Sequence, residues 1–258
     1  MHTIYSHDGS SPVFSICEEA VSRGLRGVAF TDHCDIASGR DVCASVKDSL
    51  ASEAERARET YKGRLEISIG IELGEPHHNL SLARELVSDD RLDFVIGSLH
   101  CARGQQDYYY IDYGKTDLDA MMLGYYRELL ELAESGFYSV IGHINYQIRY
   151  MPESVRKSID LTRYYDLLRE ILKVVASSGK GIEINTSGIW RGIGFTLPSS
   201  EVVSMFRECG GEIVTTGSDA HSADHVGDAL DAALKCLGDA GFDKFAFFRN
   251  GAPEFHAI

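Results

Sequence analysis

The sequence predicts an α/β protein folded as a parallel (β/α)7 TIM-like barrel with its active site at the C-terminal ends of the strands, and three observations predict it. Short apolar runs alternate with amphipathic stretches about seven times, the pattern of strand–helix units that lays parallel strands side by side. Six consecutive strand-like runs finish on a polar residue suited to a site: His33, Glu72, His100, His143, Asn185 and Asp219. A closed barrel gathers all such ends at one mouth, where barrel enzymes keep their chemistry, whereas an open sheet gathers only those beside its switch point. The chain of 258 residues, 44% hydrophobic and 25% charged, suits a single domain spanning residues 1–258.

Residues 2–5 read as the tail of a first strand, and residues 6–12, rich in Ser, Gly and Pro, as the turn after it. Ile16, Ala20, Val21 and Leu25 recur at near-helical spacing. Residues 28–33 form a short apolar strand ending in Asp32-His33, and residues 52–61 a charged helix with a solvated face. A strand over 65–72 ends in Glu72, a short helix covers 80–87, and a strand over 94–100 ends in His100. Residues 105–112 hold Tyr108, Tyr109 and Tyr110 and read as a loop or lid. From Leu118, apolar residues at 121, 122, 125, 129 and 132 mark a core-facing helix capped by Thr116 or Asp117.

A strand over 138–143 ends in His143, and a long amphipathic helix through Leu161, Leu168, Ile171 and Val175 stops at Gly179. Strand 181–185 runs into Thr186-Ser187-Gly188, and helix 201–209 leads to a buried strand, 213–216. That strand opens on Gly217-Ser218-Asp219-Ala220-His221, where residues two apart on extended backbone face one pocket. Residues 226–237 read as the last helix, and 245–248 as an apolar stretch without an assigned role.

The net charge of −14 argues against long nucleic acid, whose phosphates need Lys and Arg, and against anionic membrane surfaces. Six cysteines without a CxxC pair point to free thiols in a reducing cytoplasm. No apolar run approaches the roughly 18 residues that span a bilayer.

His2, His33, His100, His143 and His221 with Asp8, Glu72 and Asp219 make a nitrogen- and carboxylate-rich set. Such donors suit Zn, Mn or Fe better than Ca or Mg, and their number exceeds what one tetrahedral ion needs, so two or three divalent transition metal ions are expected. Any one of these histidines alone is better read as a hydrogen-bonded core residue; repeated placement at strand ends makes the set a metal centre. Cys34 and Cys101 follow ligands directly, point to the opposite face and read as core. The tyrosine run reads as packing or lid, and His77-His78 as an exposed loop pair.

The ordered pattern His2-Thr3 with Asp8, Thr31-Asp32-His33, Gly70-Ile71-Glu72, Gly97-Ser98-Leu99-His100, Gly142-His143 and Gly217-Ser218-Asp219-Ala220-His221 resembles the PHP (polymerase and histidinol phosphatase) family. Glu183-Ile184-Asn185-Thr186-Ser187-Gly188, with Trp190-Arg191, resembles its histidinol-phosphatase branch. The resemblance implies a distorted barrel of seven βα units and a trinuclear centre. Glu72 would bridge two ions, the first joined by His2 and Asp219, the second by His100 and His143, while Asp8, His33 and His221 would hold the third. Two departures stand out. Met1 occupies the middle of the family's His-x-His, which with the short first strand predicts a natural start several residues upstream. Asn145 stands where many relatives carry Asp.

The resemblance further implies hydrolysis of a small phosphate monoester, with L-histidinol phosphate as the best single substrate. Arg191 and Arg149 are the candidates to clamp phosphate, since a guanidinium binds it in a bidentate fork. Asp219, His221 and His33 are the catalytic candidates, either histidine protonating the leaving oxygen if not fully occupied by metal. The rivals are a general phosphoesterase of nucleotides or oligonucleotides, and a metal-binding barrel without catalysis.

Overall fold

The computed structural model describes all residues from Met1 to Ile258. Its frame is a sheet of six parallel strands standing in chain order: β1 (Gly27–His33), β2 (Glu66–Gly74), β3 (Phe94–Ser98), β4 (Val140–Ile141), β5 (Gly181–Asn185) and β6 (Val214–Gly217). The sheet curls into a half-barrel of the TIM-like kind. Register is set early: His33 pairs with Glu72 across β1 and β2, and Glu72 with Ile96 across β2 and β3. Because side chains alternate faces, a slip of one residue would turn these ligands away from the mouth.

The expected first strand over 2–5 does not form. Met1 to Thr3 instead lie as a short extended bridge between the sheet's two edges, and the chain turns immediately after them. The Met1 ammonium donates to the Ala29 carbonyl (3.0 Å) and to Thr31 Oγ1 (2.9 Å). The Thr31 amide donates to the Met1 carbonyl, and the His2 amide to the Ala220 carbonyl, each at 2.9 Å. Three residues offer too few ladder bonds to count as a strand, yet they tie β1 to the end of β6. Beneath them, between β1 and β6, lies a cavity of about 480 Å³ lined by Val28, Ala29, Phe94, Ile96 and Thr215.

Nine helices complete the chain: α1 (Val13–Ser22), α2 (Arg40–Thr60), α3 (Leu80–Val87), α4 (Leu118–Ser135), α5 (Glu153–Arg156), α6 (Tyr165–Ser177), α7 (Ser187–Trp190), α8 (Ser200–Glu208) and α9 (Leu230–Asp239). Capping follows sequence: Asn79 accepts from the Leu82 amide and Asp117 from the Ala120 amide, both at 3.1 Å, each satisfying an amide the helix leaves free. In α6, Leu168, Ile171, Leu172 and Val175 form one buried stripe. Truncating such a side chain to Ala costs about 2–5 kcal/mol.

Three expectations need correcting. The charged helix over 52–61 is the second half of α2, and its face is only partly solvated, since Ala51, Ala54 and Ala57 are buried against the sheet. The last helix starts at Leu230 rather than 226, because Gly227 and Ala229 adopt left-handed backbone that cannot begin a helix. The apolar stretch at 245–248 belongs to β7 (Lys244–Arg249), which pairs antiparallel with β8 (Ala252–Ala257). This hairpin crosses the N-terminal end of the sheet: Phe248 stacks on Phe94 at 5.0 Å, and the Asn250 amide donates to Asp93. The Asn250-Gly251 pair between two runs is a hairpin signal that reading by apolar content alone passes over.

Candidate metal centre

The C-terminal ends of the strands deliver the donors because the chain leaves each strand abruptly there. Six non-glycine residues have positive φ, and four of them, Glu75, His143, Asn145 and Asp219, follow β2, β4 and β6. Such conformations cost free energy and cluster where a site needs a side chain aimed against local preference.

Glu72, at 2% exposure, is the hub. Its two oxygens face different imidazoles. Oε1 lies 2.7 Å from His143 Nε2 and 3.0 Å from His100 Nε2, and Oε2 lies 3.1 Å from His2 Nε2. His2 Nε2 also lies 3.2 Å from Asp219 Oδ1. A third group stands nearer the surface, where Asp8 Oδ2 lies 3.1 Å from His221 Nε2 and 3.6 Å from His33 Nε2. His33 Nδ1 turns back toward Glu72 Oε2 at 3.8 Å, linking the outer group to the hub.

Charge is balanced within the cluster. Burial alone would raise the Glu72 carboxyl, but His33, His100, His143 and His2 hold it well below the usual range. Asp219 is likewise kept low against burial, first by Arg149 and then by His2 and His221. His33 is lifted to about 9, Glu72 and Asp8 overcoming its desolvation. Burial would hold the His100 imidazole neutral, but Asp35 and Glu72 lift it well above the ordinary value.

The donor set fits metal ions. Ions about 2.0–2.2 Å from nitrogen and oxygen ligands place neighbouring ligand atoms about 3 Å apart or slightly more, close to the spacings here. His33 Nδ1, His143 Nδ1 and Asp35 Oδ1 are buried without a hydrogen-bond partner, so hydrogen bonding among the protein's own groups leaves the cluster incomplete.

A PHP domain model matches residues 1–187. This chain belongs to the PHP domain family. The PHP chain is 28% identical to a histidinol-phosphatase of Lactococcus lactis over 257 residues, covering 96% of this chain and 92% of that protein. It is 24% identical to a probable histidinol-phosphatase of Thermotoga maritima, covering 95% and 93%. Its fold superposes on the L. lactis histidinol phosphate phosphatase, crystallised with zinc, L-histidinol and phosphate, with a TM-score of 0.79 and 25% identity over 98% of this chain and 97% of that one. The putative histidinol phosphatase of Listeria monocytogenes has the same fold, with a TM-score of 0.70 at 17% identity over 89% of this chain and 97% of that one.

In this member of the PHP family all eight donors expected from sequence lie at one mouth. The two arginines differ. Arg149 Nη1 donates to Asp219 Oδ2 at 2.5 Å and to Ser187 Oγ at 2.7 Å, with its guanidinium over the rings of Tyr146 and Tyr150. Arg191 is exposed and lies over Trp190, 4.6 Å from the ring centroid, with no side-chain hydrogen bond to the cluster. Asn145 faces away from the donors, accepting from the Tyr126 hydroxyl at 2.7 Å.

Sequence reasoning missed several groups. Asp35 lies 3.4 Å from His100 Nδ1, and Glu75 accepts from the His100 amide at 2.6 Å. Burial pushes the Glu75 carboxyl up to about 7. Asp32 accepts from the amides and hydroxyls of Thr3 and Ser6, fixing the segment that carries His2. Glu183 lies under the centre, its carboxyl raised by burial, accepting from the His143 amide at 3.0 Å. Gly217 leaves room for it, since a Cβ there would run into Glu183 Oε1. Carboxylates near ligands were visible in sequence at Asp32 and Asp35; that Glu183 points inward from a strand interior was not. Tyr146 packs its ring 4.9 Å from both His100 and His143 and walls that side.

Proposed function

We propose that this chain is a single-domain, metal-dependent phosphatase of a small phosphate monoester, L-histidinol phosphate, acting in the cytoplasm with two or three divalent transition metal ions, Zn, Mn or Fe. The carrying observation is the division of Glu72 between two imidazole groups, with Arg149 fixed at the neighbouring Asp219. The likeness to relatives named histidinol-phosphatase, over more than nine-tenths of the chain, supports the substrate.

In this reading Glu72, His2 and Asp219 would hold one ion, Glu72 with His100 and His143 a second, and Asp8, His33 and His221 a third. Bound ions supply Lewis acidity, offsetting phosphate charge and lowering the pKa of a water. Arg149, immobilised between Tyr146 and Tyr150, presents its guanidinium to the phosphoryl oxygens and stabilises charge that grows in the transition state. Tyr146 excludes bulk water on that side. His221 and His33 have the most exposed imidazoles of the donor set, and when the third ion does not occupy them one gives its proton to the departing alkoxide oxygen. Water thereby adds to phosphorus as the ester oxygen leaves protonated.

The test is a turnover panel of L-histidinol phosphate, mononucleotides and a generic aryl phosphate, run on metal-stripped protein and after adding back each metal. Turnover highest on L-histidinol phosphate and dependent on added metal is the expected outcome. A preference for nucleotides would replace the substrate, and metal binding without turnover on any ester would leave a binding barrel.

A further inference from the structure

A second histidine–carboxylate cluster lies away from the strand mouth. β2 runs two residues beyond Glu72 to Gly74. Glu75 then takes a left-handed conformation (φ 51°), and Pro76 opens a tight turn over Pro76–His78. The turn folds both imidazoles onto α4, correcting the expectation of an exposed pair: His77 is buried and His78 half-buried. Their Nε2 atoms converge on one oxygen, Glu128 Oε2, at 2.6 Å for His77 and 3.0 Å for His78. The rings stand nearly edge-on at 64° with centroids 4.3 Å apart, as two ligands to a common point do. Glu128's other oxygen is taken by the Arg103 amide at 2.9 Å, which fixes the carboxylate's orientation and leaves Oε2 to the histidines.

We propose that His77, His78 and Glu128 form a second, mononuclear site for zinc or a divalent ion of its class, separate from the centre at the strand mouth. Two imidazole nitrogens and one carboxylate oxygen are a zinc donor set with a position left open. His78 and Glu128 each keep 16% side-chain exposure, so the open position faces solvent. An ion with ligands at about 2.0–2.2 Å needs them roughly 3.3 Å apart. The two nitrogens stand 2.6 and 3.0 Å from the Glu128 oxygen, and the three ligand atoms all lie within 4.8 Å of one another. The Arg103 amide supplies the outer support that ligating carboxylates commonly have. An ion here would clip the turn after β2 to α4 and to the loop that carries Arg103 and the tyrosine run.

The experiment counts zinc. Full-length protein, His78→Asn and Glu128→Gln are equilibrated with buffered zinc over a range of free concentrations, and bound metal per chain is measured with turnover. Both variants are expected to hold one zinc fewer than the parent at saturation, with turnover at saturating metal within about twofold. Cobalt substitution should show one set of d–d bands present in the parent and missing from both variants. Equal zinc counts in parent and variants would overturn the site. Glu128→Gln retains an acceptor for the Arg103 amide; if it does not fold, His78→Asn decides the question alone. Because the readout is stoichiometry, the outcome is independent of which phosphate ester the mouth hydrolyses.

Discussion

The two histidine–carboxylate clusters are built on opposite logics. At the strand mouth eight donors come from segments scattered between residues 2 and 221, each placed by the end of a strand, by the Met1–Thr3 bridge or, for Asp8, by the turn that follows it. On the lip three donors come from one tight turn and one helix. The mouth carries its own counter-charge in Arg149, along with carboxylates not among the expected ligands, half-buried Asp35 and buried Glu183. The lip cluster carries little beyond the Arg103 amide. Many ligands around one shared carboxylate bring several charges to a reacting group, whereas a three-ligand corner holds one ion and fixes a loop.

Substitutions should separate the two accordingly. Glu72→Gln removes the charge shared by the three imidazoles nearest it. It should cut turnover by at least roughly a thousandfold, about 4 kcal/mol of transition-state stabilisation, and lower the bound metal, while circular dichroism stays unchanged. Wild-type turnover in that variant would dissolve the distinction between hub and corner. Arg149→Lys keeps a positive charge but loses the planar fork and the stack on Tyr146 and Tyr150. Steady-state kinetics should show a loss of about a hundredfold in kcat/KM, and a loss of twofold or less would mean that Arg149 only balances Asp219.

Tyr146→Phe tests the wall alone. The ring stays against His100 and His143, while the hydroxyl's bonds to Asp107 and Tyr150 are lost. About 1 kcal/mol, a tenfold effect or less, is expected on kcat/KM. Smallest of all, Arg191→Ala should change KM by about twofold or less, since the side chain stacks on Trp190 outside the cluster. A tenfold rise in KM would bring Arg191 back as a phosphate ligand that moves when substrate binds.

The mouth was legible in the sequence because a parallel strand leaves two signals at once: an apolar run and the residue that ends it. His33, Glu72, His100 and His143 each close such a run, and parallel topology does the rest. Asn185, read the same way, ends β5 but uses its carbonyl oxygen on Ser187 and donates to Glu183. The lip was not legible, because nothing in His77-His78 names a partner 50 residues away on α4; only the fold supplies Glu128. The β7–β8 hairpin was missed for a different reason. Its apolar residues were counted, but the turn chemistry of Asn250-Gly251 was not.

The hydrogen bond from the His2 amide to the Ala220 carbonyl, with His2 beside Asp219, joins the two ends of the sheet. Seen as a sequence of events in time, that contact closes a loop of more than two hundred residues. Long-range closures of this kind form late, because their entropy must be overcome before their contacts contribute. The complete centre, with His2, Asp219 and His221 in place, therefore does not exist in partly folded chains that have assembled only β1 to β5. Completion of the ligand set at the mouth marks the end of folding, while the His77–His78–Glu128 cluster, built from segments about fifty residues apart, becomes available earlier.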